Sequence, residues 1–294
     1  MKILVASGLV FFLSWSYLFM PQAFFSLDNR LRDFMFVLRG ELPKSQRITI
    51  VDIDEASLKA YGQWPWSRDL FAKLLYRLSD AGAGIIGLDI VFAEEDRTSP
   101  HRFAQADSHA KNLPNYDQIL ASSFGSTPVV GGYIFTFESS EESRAPNIPA
   151  TVVAKGLVGE ETLLRPKGVV LNIPLLQDAL YSSGFFNNTP DEGGMIRHVP
   201  LIMEYDGVIY PSLALEMIRI YQNSPRVDVR ADAGGVESIR MGELEIPTDN
   251  VGRLVVNFRG PGGHFEYISA KNILDGTFDP KKIDGRFVLI GTSA

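Results

Sequence analysis

The run ITIVDIDEASLKAYGQWPWSRDLF, residues 48–71, places two carboxylates, Asp52 and Asp54, in an otherwise apolar strand and follows them with Trp64, Pro65, Trp66 and Arg68. A third acid, Asp89, stands in the next apolar run, IIGLDIVF. A carboxylate leaving water needs a cation or several hydrogen bonds to offset its desolvation. The spacing therefore predicts that Arg68 pairs with Asp89, with Asp54, or with both, beneath the two tryptophans. Three kinds of chemistry fit such a group. In an architectural one, Asp54 caps a turn at EASLKAYG and the Arg68–Asp89 pair only holds the packing. In a binding one, Asp54, Trp64, Trp66, Arg68 and Asp89 line a partly apolar pocket for a small ligand. In a hydrolytic one, Asp52, Asp54, Asp89 and the acidic run Glu94-Glu95-Asp96 hold a hard cation. No acid spacing here matches a known cation loop, so the last has the least support.

Other catalytic signatures are missing. The chain contains no G-x-S-x-G, no H-E-x-x-H and no G-x-x-x-x-G-K-[ST]. With no cysteine, it has no thiol nucleophile, disulfide or thiolate metal site. His101, His109, His198 and His264 are scattered, and RGPGGHF at 259–265 lacks the last glycine of a dinucleotide loop and reads as a turn. No cofactor and no metal are expected. A net charge of −7 offers no basic footprint for a phosphate backbone, which argues against nucleic acid as a partner.

The elements that must position these residues follow from periodicity. Residues 48–53 and Gly84–Phe92 read as buried strands, separated by a helix over Trp66–Ala81 with Leu70, Phe71, Leu74, Leu75 and Leu78 on its apolar face. That order is βαβ, and strands apolar on both faces belong in a parallel sheet covered on both sides. A helix near Asp117–Phe124 and a strand at Val129–Phe137 extend it. Further on come a hairpin at LIMEY-DG-VIY, a helix over Pro211–Tyr221 and edge strands within Val227–Ile246. A core strand at Leu254–Phe258, a short helix at Ser269–Leu274 and a last buried strand at Phe287–Gly291 complete the series. The fold class is α/β: a mostly parallel central sheet flanked by helices, with additional antiparallel hairpins and an N-terminal transmembrane helix in front. Ligands of open α/β sheets collect beyond the carboxyl ends of the strands, where Asp54 and Asp89 stand.

Ile3–Met20 is an uncharged run of 18 residues, close to the roughly 20 that cross a bilayer as a helix and longer than a signal-peptide core. Only Lys2 precedes it while Arg30, Arg32 and Arg39 follow, so loop charge leaves its orientation open. After Pro21, Leu27, Leu31, Phe34 and Leu38 share one helical face, with Asp28 placed to cap the first turn. The expected organisation is a transmembrane helix over 1–20, a juxtamembrane amphipathic helix and linker over 21–47, and one domain over 48–294. The stop at Ala294, directly after a strand, is expected to be a C-terminal truncation.

The blocks IVDIDEASLKAYGQWPWSR, IIGLDIVFAEED, DQILASS, GFFNN, RHVPLIMEYDGVIYPSLALE, LVVNFRGPGG and FVLIGTSA, in this order, resemble the type 2 CHASE domain. That domain is the extracytoplasmic sensory module of bacterial adenylate cyclases, histidine kinases and serine/threonine kinases. The resemblance implies a receptor part in the bacterial cytoplasmic (inner) membrane with its main domain periplasmic, and a cyclase or kinase output beyond Ala294. The implied partners are a small-molecule or periplasmic signal, the membrane and a second copy in a homodimer; the chain itself would not be an enzyme. It also implies that Arg68, Asp89 and the Trp64-Pro65-Trp66 turn belong together, without saying what they do. One departure stands out. Where family members often show D-x-D-G-x-x-R, this chain has Asp191-Glu192-Gly193-Gly194-Met195-Ile196-Arg197, which replaces the second acid by Gly193. The competing readings are a membrane-anchored metal-assisted hydrolase and a structural or partner-docking module.

Overall fold

The computed structural model describes residues 21–106, 113–138, 144–147, 151–156, 162–188, 190 and 194–293. The membrane span expected over Ile3–Met20 and the acidic loop at 191–193 lie outside these residues. Among the described residues no helix is long and apolar enough to cross a membrane. The chain divides into two compact units, one of residues up to 44 with 258–264, the other of 45–257 with 265–294.

The smaller unit is built on helix α1 (Pro21–Arg39). Asp28 does not cap its first turn, as expected, but lies inside the helix and pairs one turn on with Arg32 at 3.1 Å. The stripe of Leu27, Leu31, Phe34 and Leu38 forms as periodicity predicts, and all four remain exposed. Gly40 ends the helix with φ of 73°, donating its N–H to Phe36 O. The segment 258–264 returns alongside. Phe258 meets Phe36 edge-on, Leu42 N–H donates to Arg259 O at 2.8 Å, and the Arg259 guanidinium donates to Pro43 O at 2.9 Å.

The larger unit begins β1 (Ile48–Ile53), α2 (Glu55–Tyr61), α3 (Arg68–Asp80), β2 (Ile85–Leu88), α4 (Tyr116–Ser123), β3 (Val129–Thr136). It continues β4 (Thr151–Lys155), β5 (Gly168–Val170), α5 (Pro174–Ala179), β6 (Ser182–Phe185), β7 (His198–Pro200), β8 (Ile202–Tyr205), β9 (Val208–Pro211), α6 (Leu213–Tyr221). The last elements are β10 (Arg226–Asp232), β11 (Gly235–Met241), β12 (Leu244–Pro247), β13 (Arg253–Val255), β14 (Glu266–Ser269), α7 (Ala270–Asp275) and β15 (Phe287–Thr292).

A seven-stranded sheet has the order β14-β1-β15-β2-β3, with β6 and β5 both pairing β3. All of its strands run parallel except β5. The last strand inserts between the first two: Asp52 registers with Gly291, and Leu88 with Ile290. One face of the sheet presents Val51, Ile53, Leu88, Val288 and Ile290 to Phe71, Leu74, Leu75 and Leu78 of α3 and Ile273 of α7. Each such side chain contributes about 1.5–3 kcal/mol on leaving water. The other face is covered by α6, whose Leu213 and Met217 pack on Ile85 and Val130. A second, four-stranded sheet, β12-β11-β10-β4, carries its own core around Val227, Val229, Ile239 and Met241.

The mixed class is as read from sequence, including the hairpin at β8–β9, where Asp206 and Gly207 both take positive φ. The core strand expected over Leu254–Phe258 is different. It shrinks to the three-residue β13, half-buried and paired antiparallel with β7 outside the main sheet. Its apolar run was read as a sign of full burial, but a strand with one neighbour buries only part of each side chain.

Candidate functional site

Helix α3 starts at Arg68, and its first backbone N–H donates to Asp96 Oδ2 at 2.7 Å. The guanidinium turns into the protein: it lies 4.2 Å above the Phe92 ring, donates to Glu94 O at 3.1 Å, and sets Nε 3.6 Å from Asp117 Oδ1. Asp117 lies on α4 and is only 2% exposed; its Oδ2 accepts from Asp96 N–H at 3.0 Å. Burial pushes the Asp117 carboxyl up, and the Asp96 amide and Arg68 only partly counter it. For Asp96 burial also raises the pKa, but hydrogen bonds from Arg68 N–H and Thr98 outweigh it and hold the group below the usual range. The expected partners are therefore replaced: Arg68 pairs with Asp117 and reaches Asp96, not Asp89 or Asp54. The physical reason is that β2 ends before Asp89, and the chain then carries Phe92 to Asp96 across the start of α3.

Trp64 and Trp66 do gather beside Arg68, with ring centroids 6.1 Å apart, and with residues 91–98 they enclose a cavity of about 400 Å³. Asp54 stands elsewhere. It caps α2, accepting from Ser57 N–H at 2.9 Å and from the hydroxyls of Ser57 at 2.6 Å and Ser269 at 2.9 Å. Burial acts to raise its pKa; these donors outweigh burial and hold the carboxyl below its ordinary value. Alternation would have put Asp52 and Asp54 on one face, but the strand stops at Ile53 and Asp54 belongs to the helix start.

Asp52 and Asp89 share a different place, a cavity of about 760 Å³ over β1 and β15 on the sheet face away from α3, with Asp89 and Ser293 just past the ends of β2 and β15. Its floor is Ile50, Leu289 and Gly291, and its walls include Tyr267, Phe186, Asn188 and the start of α6 at Ser212–Ala214. Asp52 accepts from Ser293 N–H at 3.1 Å and from its hydroxyl at 2.6 Å. The Asp89 amide is used by the sheet, donating to Ile290 O at 2.9 Å, which aims the residue along the end of β2. Its carboxylate is exposed to the cavity, has no ion pair or hydrogen bond among the described residues, and is pushed above its usual pKa by the protein around it. Gly184 makes the wall possible: a Cβ there would come within 2.6 Å of Leu213 N, so only glycine lets α6 start this close to β6.

The model of the CHASE2 domain family matches residues 6–294. The chain belongs to the CHASE2 domain family. CHASE2 domains are extracytoplasmic sensory domains of signalling receptors. No curated protein and no solved structure matches this CHASE2 domain. Of the five site residues read from sequence, the fold gathers Trp64, Trp66 and Arg68, sends Asp54 to a helix cap and sets Asp89 in the second cavity. The six acids of the hydrolytic reading are divided among those places, and among the described residues no three acids or histidines stand close enough to hold a metal ion. Sequence reasoning missed Asp117, which looked like an ordinary first-turn acid, and Ser293, Tyr267 and Phe186. For Asp117 the usable signal was DQILASS itself, an acid on the first turn of a helix whose other face is apolar.

Proposed function

We propose that this CHASE2 domain is the ligand-binding part of a bacterial transmembrane receptor, and that the cavity holding Asp52 and Asp89 receives the signal. The observation that carries the reading is the cavity itself: it lies between one face of the parallel sheet and the start of α6, and holds one carboxylate that has no partner among the described residues. It joins three parts of the chain distant in sequence, β1–β2, the start of α6, and β15. A ligand that fits one arrangement of these parts better than another shifts their equilibrium, whereas equal affinity for both would shift nothing. The domain stands on the periplasmic side of the cytoplasmic membrane, held by the apolar N-terminal run. The bias passes to an adenylate cyclase or kinase output, which acts as a homodimer. The Arg68 cluster is the scaffold of this reading rather than its binding site.

Gly291 supplies the test. It lies on the cavity floor in ordinary strand conformation, and a Cβ there would meet nothing closer than Asp89 at 3.7 Å. Gly291→Leu is expected to fill the cavity, leave thermal unfolding near that of the parent, and abolish the response of the full-length receptor to its stimulus in an output assay. A folded, membrane-inserted Gly291→Leu receptor that responds normally would remove the cavity from the signalling path.

A further inference from the structure

Resting on the sensory reading of the Asp52–Asp89 cavity, we infer that its ligand is an organic cation, an ammonium group carried on an apolar or aromatic body. Among the described residues that line the cavity, Asp52 and Asp89 are the only charged ones, and no described lysine, arginine or histidine lines it. Ser293 gives Asp52 two neutral donors, which solvate its charge without cancelling it. Among the described residues Asp89 has not even that. The remaining wall is largely apolar or aromatic, including Ile50, Leu289, Phe186 and the exposed Tyr267. A cation placed over such a ring gains further attraction from the ring face.

The start of α6 is the one feature of the cavity that favours an anion, and it is the weaker one. A helix N-terminus amounts to about half a positive charge. Here the Ser212 hydroxyl already accepts from Leu215 N–H. Two whole carboxylates outweigh it. Size decides between a bare metal ion and a molecule. A hard divalent cation asks for about six oxygens at roughly 2–2.6 Å, and no such group forms among the described residues. An ammonium needs only one or two acceptors for its three N–H donors. The cavity's 760 Å³ is in the range of about 300–1,000 Å³ typical of small-molecule sites and leaves room for the ammonium's organic body.

Three probes of one size and different charge test the inference: 2-phenylethylammonium, 2-phenylethanol and phenylacetate, titrated calorimetrically into the full chain in nanodiscs at pH 7.5. The expected order is ammonium first, alcohol at least tenfold weaker, phenylacetate weakest. Asp89→Asn is expected to weaken the ammonium about tenfold or more and leave the alcohol unchanged, and Gly291→Leu to abolish both. Equal or tighter binding of alcohol or phenylacetate overturns the cationic class while keeping a ligand cavity. Absence of ammonium binding to the folded chain, or ammonium binding indifferent to Asp89→Asn, also overturns it. Ammonium binding lost in Gly291→Leu, together with a Gly291→Leu receptor that still signals, upholds the cation site and sinks its sensory role instead.

Discussion

Arg68 Nε and Asp117 Oδ1 stand 3.6 Å apart, with each side chain less than a tenth exposed. The pair joins the first turn of α3 to the first turn of α4, and the loop that carries Asp96 closes over both. Among the described residues neither Arg68 Nε nor Asp117 Oδ1 has a hydrogen-bond partner, so these two buried atoms are compensated chiefly by each other's charge.

Removing one member of a buried pair leaves the other charge uncompensated, at a cost of about 3–5 kcal/mol. Arg68→Met is therefore expected to lower the unfolding free energy by that amount and to shift the denaturant midpoint down in proportion. Adding Asp117→Asn to it should return part of the loss, because a neutral amide is cheaper to bury. If Arg68→Met unfolds at the parental midpoint, Arg68 is not the structural hub described here.

Asp54 holds a helix start and receives its donors as a carboxylate. Asn caps nearly as well as Asp, while Ala does not, so Asp54→Ala should cost about 1–2 kcal/mol and Asp54→Asn clearly less. The Asp54 pKa is depressed in the folded state. Its contribution is thus fully present above the unfolded value near 3.9 and is lost as pH falls through the lower folded value. Unfolding measured from pH 6 down to pH 2 should fall less steeply in Asp54→Asn than in the parent.

Asp89 has the opposite sign. Its pKa is raised in the folded state, so the ionised form is penalised there. Stability should decline as pH rises from the unfolded value near 3.9 through the folded one, then level off. Asp89→Asn should unfold at a slightly higher temperature than the parent at pH 7, with the gain vanishing at pH 3; the exposure of the group keeps it small. Carbon-detected titration of the Asp89 carboxyl gives a direct check, and an unshifted midpoint would contradict the desolvation of Asp89 at the end of β2.

Two glycines, Gly291 on the cavity floor and Gly184 behind the start of α6, should behave differently. Gly184→Ala brings its Cβ within 2.6 Å of backbone at Leu213 and should cost about 1–3 kcal/mol, since main chain cannot rotate away as a side chain can. Gly291→Ala meets only the Asp89 side chain at 3.7 Å and should be close to neutral. Thermal unfolding of the pair compares them directly.

Much of the architecture was legible before any coordinates. The alternation of 48–53, the helical spacing of Leu70 to Leu78 and the turn at Asp206-Gly207 are local patterns, written by side chains a few residues apart, and each became the expected element. The seven blocks from IVDIDEASLKAYGQWPWSR to FVLIGTSA identified the CHASE2 family for the same reason. Partnership was not legible. Arg68 had two candidate acids, Asp54 and Asp89, and both were plausible until α4 brought Asp117 to it from 49 residues away.

Local spacing thus settled which segments are strands and helices, which faces they bury and which family they belong to, since those depend on neighbours in the chain. Where the acids go depended on strand order. Inserting β15 between β1 and β2 sets Gly291 beside Asp52 and builds a cavity floor from residues 239 positions apart, and no sequence period records a meeting that only hydrogen-bonded register can impose.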